Sequence, residues 1–246
     1  MPSIKNLIID SSQRINGTPD DFTIVYPLPI TDPVSISLES IQMYNTQYTV
    51  NSNNYQVPFR TNNNSNVVAS LPHGNYDSDS LAAAITLSMT TAASNLGDNS
   101  AYTCYYDQTI AKYSLSNNTG NFNFNFNLAL PTIAKNIGFS EQLYSSNAAY
   151  VGESIGYLNP KYFTIYSDLM YNNSVDGLGA KSLIAYVPNN VNFGDIIDYK
   201  PHLAKTFTIT KKDLSRIKVQ VKDDRGLQAQ LNGVNWSMNL VVSTKD

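Results

Sequence analysis

Apolar and polar residues alternate with a period of two along most of the chain. In residues 121–127 (NFNFNFN), Phe122, Phe124 and Phe126 fall on one face and four asparagines fall on the other. Successive side chains of a β-strand point to opposite faces, so this alternation predicts a half-buried strand. We expect the three phenylalanines to point into the core of a β-sandwich.

Two further alternating runs lie near the C-terminus: Ile217, Val219 and Val221, then Trp236, Met238, Leu240 and Val242. Turn signals at residues 223–226 (DDRG) and 232–233 (NG) separate the two runs. Alternating runs joined by such turns are typical of antiparallel neighbours. The C-terminal region therefore predicts a meander of antiparallel strands.

The alternation changes phase in the N-terminal region. After an alternating run at Phe22, Ile24 and Tyr26, a second run begins in which Val34, Ile36 and Leu38 share one phase while Ile41 and Met43 have the other. An extra residue within a strand produces this change. We therefore expect a β-bulge or an edge bend between Leu38 and Ile41.

Residues 79–96 have a helical period instead. Apolar or small residues recur there every three or four positions: Leu81, Ala84, Ile85, Ser88, Met89, Ala92 and Leu96. Asp77, Ser78 or Asp79 can cap the start, and Gly97 can end the segment. The pattern predicts one long helix whose narrow, Ala-rich stripe lies on the side of a β structure.

Two segments have weak patterns. Residues 50–66 are Asn-rich and predict a loop. Residues 148–200 contain many Gly and Pro residues between short strand candidates near 162–165 and 182–187, which predicts a loop-rich excursion. We expect a single domain over residues 1–246 with this excursion as an insertion.

Composition narrows the function classes. Only 14% of the 246 residues are charged and the formal net charge is −3, which disfavours a coiled coil, a helical bundle and direct binding to nucleic acid. No stretch approaches the roughly 20 apolar residues that cross a bilayer. The first residues also lack the apolar core of a signal peptide. We expect a protein made and kept in a reducing compartment.

Candidate catalytic chemistry is sparse. One cysteine, Cys104, and two histidines, His73 and His202, cannot supply a four-ligand zinc site. Residues 152–156 (GESIG) match the serine nucleophile motif around Ser154, but no helical period follows, so a Gly-rich turn is favoured. Residues 177–182 (GLGAKS) resemble a phosphate loop without its full spacing, and a turn is again favoured. We predict no catalytic residue, cofactor or metal.

Three pairs of acidic residues could offer oxygen ligands to Ca²⁺ or divide acid and base roles: Asp195 with Asp198, Asp223 with Asp224, and Asp77 with Asp79. Capping and turn formation account for most such pairs, and no EF-hand spacing is present. Cys104 lies among tyrosines in a strand pattern and is expected to be a small buried hydrophobe.

Charge is distributed unevenly. Residues 201–246 hold eight of the 16 Lys and Arg residues and four acids, whereas the rest holds eight basic and 15 acidic residues. This asymmetry fits either a solvated face or complementary flanks of a subunit that contacts copies of itself. For the second case the candidate interface residues are Lys211, Lys212, Arg216, Lys218 and Lys222.

A set of short elements resembles the single jelly-roll minor capsid proteins, the penton-like proteins of large icosahedral double-stranded DNA viruses and virophages. The elements are residues 7–14 (LIIDSSQR), 19–24 (PDDFTI), 34–38 (VSISL), 71–76 (LPHGNY), 106–107 (YD), 112–115 (KYSL), 137–139 (IGF), 223–226 (DDRG) and 235–237 (NWS). Their order carries the resemblance, because each element is short. Residues 148–200 match no part of that pattern.

The resemblance implies an all-β single jelly roll of two antiparallel sheets that forms a homopentamer at capsid vertices. It implies contacts with the major capsid protein and other minor capsid proteins, partly through an N-terminal arm at residues 1–15 that includes Asp10 and Arg14. The expected location is the virion. Two alternatives remain open, another minor capsid protein of the same virus class and a jelly-roll module that binds a glycan or receptor.

Overall fold

The computed structural model describes residues 3–61, 65–170, 174–176, 179–209 and 211–245. Within them lie one α-helix, α1 (Ser78–Ser94), and two 3-10 helices, Ser11–Gln13 and Ala134–Ile137. The first strands in chain order are β1 (Ser3–Asp10), β2 (Asn16–Thr18), β3 (Asp21–Thr31), β4 (Pro33–Tyr44), β5 (Gln56–Arg60), β6 (Asn66–Ser70), β7 (Tyr102–Asp107), β8 (Lys112–Asn117), β9 (Phe122–Asn125) and β10 (Leu143–Asn147). The remaining strands are β11 (Ala149–Val151), β12 (Tyr162–Ser167), β13 (Ser174–Asp176), β14 (Gly179–Lys181), β15 (Leu183–Pro188), β16 (Ile196–Tyr199), β17 (Thr206–Thr208), β18 (Asp213–Asp223) and β19 (Ser237–Thr244). Among the described residues, no helix is long and apolar enough to span a membrane.

The chain divides into two compact units, where the sequence predicted one domain. Unit 1 comprises Met1–Gln47 and Pro160–Asp246, and unit 2 comprises Tyr48–Asn159. Residues 148–159 of the expected insertion fall in unit 2 and residues 160–200 in unit 1. Its strand candidates are real, because β12 and β15 match them, but both strands belong to a sheet of unit 1.

Unit 1 is a sandwich of two antiparallel sheets. One sheet has the order β1-β19-β4-β16, with β17 also paired to β4, and the other has the order β15-β12-β18-β3-β2. Apolar residues of both sheets form one buried cluster, which includes Ile9, Met238, Phe163 and Val219. These sheets, with α1 as the one α-helix of the described residues, confirm the predicted all-β class.

The predicted bulge is present in β4. Asn239 of β19 pairs with Ser40 while Leu240 pairs with Leu38, so Glu39 is the extra residue. On either side of Glu39, Leu38 and Ile41 are both buried. The bulge allows the apolar side chains on both sides of Glu39 to point into the core although they differ in phase.

The C-terminal strands do not form the predicted meander. Strand β18 pairs with β12 and β3, whereas β19 pairs with β1 and β4 in the opposite sheet. The predicted alternation within each strand is correct, since Val219 and Leu240 are both buried. The prediction of their pairing is wrong because alternation defines a strand's buried face but not its partner.

Unit 2 contains α1 and two sheets, with the orders β10-β9-β5-β6 and β11-β8-β7. Asp77 caps α1 by accepting a hydrogen bond from the Ser80 amide, and the Ser80 hydroxyl accepts one from the Asp77 amide. The buried helix residues are Leu81, Ala82, Ile85, Met89 and Ala93. The predicted helix is confirmed, but Leu96 lies beyond its end and is half exposed.

The three phenylalanines of the NFNFNFN segment are buried in the core of unit 2, as the alternation predicted. Phe124 contacts Phe122 edge to face at 4.9 Å between ring centroids and stacks on Phe126 at 5.1 Å. The prediction of a loop at residues 50–66 is wrong in part, because β5 lies there and buries Val57 and Phe59. Strand β5 has too few apolar residues for an alternating pattern to be recognised among the neighbouring asparagines.

Candidate functional site

The five predicted interface cations lie on or just before β18 of unit 1. Arg216, Lys218 and Lys222 alternate with the buried residues Ile217, Val219 and Val221, so they occupy the outward face of the sheet. Lys211 and Lys212 precede the strand. The structure therefore places Arg216, Lys218 and Lys222 on one outward face of the sheet, with Lys211 and Lys212 just before it.

Three of the five cations already have partners within the chain. Lys211 Nζ lies 2.8 Å from Asp168 Oδ2, and Lys218 Nζ lies 3.4 Å from Asp21 Oδ1. Lys222 Nζ lies over the Tyr166 ring, 5.5 Å from its centroid. These contacts make each lysine less available for an ion pair with a neighbouring subunit.

Lys212 and Arg216 differ from the other three. Both are exposed, and neither side chain forms an ion pair with another residue in the described ranges. A contact between copies of the chain would thus depend most on these two side chains. Their role at an interface stays a prediction.

The predicted N-terminal arm begins with a paired strand of unit 1. Residues Ser3–Asp10 form β1, which pairs with β19 along its whole length. Asp10 Oδ1 accepts a hydrogen bond from the Ser12 amide at 2.8 Å and so caps the short 3-10 helix. Residues 3–10 of the predicted arm are therefore built into a sheet, and residues 11–13 form the short helix that follows.

Arg14 connects this segment to residues near the C-terminus. Its Nη1 donates to the Ser11 carbonyl at 2.7 Å and to Asn235 Oδ1 at 2.8 Å. The buried Ser11 hydroxyl also donates to Asn235 Oδ1, and it accepts from the Trp236 amide at 2.9 Å. Trp236 Nε1 donates to the Pro19 carbonyl at 2.7 Å. Three elements of the sequence resemblance thus meet in one hydrogen-bonded junction.

The DDRG element forms a second polar centre in unit 1. The Asp223 side chain is fully buried, and its Oδ2 accepts from Arg225 Nη2 at 2.6 Å and from Arg225 Nε at 2.9 Å. Asp223 Oδ1 accepts from the Leu227 amide, and Gln47 Nε2 donates to Oδ2 at 3.3 Å. This carboxylate organises the turn after β18 rather than offering a free ligand.

The serine motif lies in a loop of unit 2. Ser154 is exposed after β11, its amide donates to the Gly138 carbonyl at 3.0 Å, and no helix follows it within the described part of this loop. The strand–turn–helix context of a nucleophile is thus missing. His73 is exposed and contacts the Tyr55 ring, and His202 is exposed in unit 1.

The remaining candidates have structural surroundings. Cys104 lies in β7, and burial raises the pKa of its thiol from 9.0 to about 12. Asp77 caps α1, and the exposed residues Asp195 and Asp198 lie just before β16 and within it, respectively. Within the described ranges, no three His, Cys, Asp or Glu residues cluster as metal ligands. Gly177 and Leu178 of the GLGAKS segment lie outside the described residues, and Gly179–Lys181 form β14.

Sequence analysis missed a polar cluster around Glu153 in unit 2. The Glu153 carboxylate accepts hydrogen bonds from the Ser140 hydroxyl, from Gln142 Nε2 at 2.7 Å and from the Tyr144 hydroxyl at 2.5 Å. These donors, the Ser140 hydroxyl first, lower the pKa of Glu153. The alternation of Ser140, Gln142 and Tyr144 in the sequence could have indicated that these three polar side chains share one face. The cluster therefore ties the loop after β11 to β10 and to the segment that precedes it.

Sequence analysis also missed an apolar cavity of about 350 Å³ in unit 1. It lies beside β15 and β17, and its walls include Leu38, Ala185, Tyr199 and Phe207. Alternation placed some of these residues in a core, but it could not show that the two sheets leave space here.

The chain was compared with family models, curated proteins and solved structures. No protein-family model matches the chain, and no curated protein matches it with statistical significance. The crystal structure of the mavirus penton protein is similar to this chain with a TM-score of 0.49 and 12% sequence identity, over 100% of both chains.

Proposed function

We propose that this chain is a structural virion protein, a vertex subunit that assembles as a homopentamer in an icosahedral capsid. Its activity is assembly, with no catalytic side chain. The observation that carries the proposal is the junction of Ser11, Arg14, Asn235 and Trp236. Residues from the first and last parts of the sequence resemblance form this junction, so those short elements act as parts of one fold.

The proposed partners are further copies of the chain, the major capsid protein and other minor capsid proteins. Assembly takes place in the reducing interior of the host cell, and the buried Cys104 thiol is compatible with that environment. The net charge of −3 supports a role without direct contact to nucleic acid.

The test is the mass and symmetry of the purified protein. Size-exclusion chromatography with light scattering should give about 136 kDa, five times the chain mass of 27.2 kDa. Negative-stain electron microscopy should show fivefold rings. A chain that stays monomeric both at high concentration and when co-expressed with its major capsid protein would contradict the proposal. If that monomer also binds glycans on an array, the result would favour a glycan-binding module.

A further inference from the structure

The apolar cavity of unit 1 has a cationic mouth. Its walls come from the inner side of β4 at Leu38, from β15 at Ala185 and from β17 at Phe207. Lys205 and His202 also line the cavity, and both residues are exposed to solvent. The site therefore combines an apolar interior with a positive charge at its entrance.

The position of the cavity follows from the sheet order. Strand β15 is the last strand of its sheet, and β17 pairs only with β4 among the described strands of the other sheet. On the opposite side, the Tyr26 hydroxyl of β3 donates a hydrogen bond at 2.7 Å to the Ile8 carbonyl of β1, the edge strand of the other sheet. The sandwich is thus bridged along one side, whereas the cavity occupies the other.

The chemistry of the lining selects a ligand class. A volume of about 350 Å³ falls in the range of roughly 300 to 1,000 Å³ typical of small-molecule sites. Leu38 and Ala185 are buried and offer no charged group, so the interior favours an apolar ligand body. The Lys205 ammonium at the mouth favours a negative end, and none of the described residues that line the cavity is acidic.

We propose that this cavity binds an amphipathic carboxylate, with its alkyl chain between β15 and β17 and its carboxylate at Lys205. The site is independent of the proposed capsid role, because it needs only unit 1 of a single chain. A bound ligand would fill space that the side chains leave open, and so it would stabilise unit 1.

Isothermal titration calorimetry of the full chain tests the proposal with two probes of equal length, octanoate and octylamine. Octanoate should bind the wild-type protein at least about fivefold more tightly than octylamine, and Lys205→Glu should reverse that preference. Lys5→Glu, which changes an exposed lysine on β1 outside the cavity, is the matched control and should leave both affinities unchanged.

A second variant tests the location. Ala185→Phe places a ring in the cavity and should abolish octanoate binding, with Trp236 fluorescence used to verify that unit 1 is folded. Absence of octanoate binding to the wild type, equal affinity for both probes, or unchanged binding to folded Ala185→Phe would each overturn the proposal. None of these results bears on the pentamer, which the light-scattering experiment measures separately.

Discussion

Arg14 Nη1 lies 2.8 Å from Asn235 Oδ1, although 221 positions separate the two residues in the chain. The same oxygen accepts a hydrogen bond from the buried Ser11 hydroxyl. One amide group therefore holds together the segment after β1 and the segment before β19. Two motifs that are weak when considered separately form one structural unit.

Asn235→Ala should destabilise unit 1 by about 1 to 3 kcal/mol, because the buried Ser11 hydroxyl would lose its acceptor. Trp236 is the only tryptophan of the chain and lies in unit 1, so its fluorescence during urea unfolding measures the effect. Asn6→Ala, an exposed change on β1, is the control and should shift the midpoint little. Equal midpoints for the two variants would argue against a structural role of the junction.

Arg225→Met should cost about 3 to 5 kcal/mol, because it leaves the buried Asp223 carboxylate without its cation. Arg216→Met removes an exposed arginine of β18 and should change stability by less than about 1 kcal/mol. Both are measured by urea unfolding followed at Trp236. A small effect of Arg225→Met would mean that Gln47 and the turn amides satisfy Asp223 by themselves.

Phe124→Ala should destabilise unit 2 by about 3 to 5 kcal/mol, as other truncations of buried phenylalanine do. Asn125→Ala, on the partly exposed face of the same strand, should cost much less. Because Trp236 lies in unit 1, circular dichroism is the appropriate probe for this unit. Similar melting curves for both variants would show that the face assignment is wrong.

Alkaline pH should weaken unit 2 through Cys104. Burial raises the pKa of the folded thiol to about 12, whereas the unfolded thiol titrates near 9.0, so the folded state retains the proton over that interval. By linkage, this contribution to the free energy of unfolding is complete below pH 9 and is lost as pH rises towards 12. Cys104→Ala should flatten that decline, which denaturant titrations at several pH values can measure. If the free energy of unfolding declines equally in Cys104→Ala, the decline arises from the titration of other groups.

Charge reversal at Lys212 and Arg216 should weaken self-association if these exposed cations meet acidic residues of a neighbouring subunit. Exposed ion pairs contribute only about 0 to 1 kcal/mol each, so the effect should appear in the salt dependence of assembly and not in the melting temperature. Light scattering at low and high salt measures it. Unchanged assembly would leave the charge asymmetry as a solvated face.

Lys211→Glu should differ from charge reversal at Lys212 and Arg216 in its effect on stability. Its carboxylate would face Asp168 within the same chain, so the variant should lose stability even as a monomer. The original set of five lysines and arginines could not be divided in this way from the sequence, because Asp168 lies 43 positions from Lys211.

Residue patterns alone predict four features of the structure: the strands β9, β18 and β19, the buried faces of these strands, the bulge of β4 and the capped helix α1. All of these depend on side-chain periodicity or on contacts within a few residues, which the order of amino acids states directly. Cys104 was likewise predicted to be buried from its neighbours alone.

The pairing of the strands, the division of the chain into two units and the ion pairs within the chain depend instead on the folded arrangement. Strands β18 and β19 have the alternation of neighbours but lie in opposite sheets, since a strand's pattern is compatible with any partner that presents an apolar face. The Arg14–Asn235 junction, the Lys211–Asp168 pair and the cavity between β15 and β17 join distant segments. Such contacts arise from packing in three dimensions, and no local period encodes them.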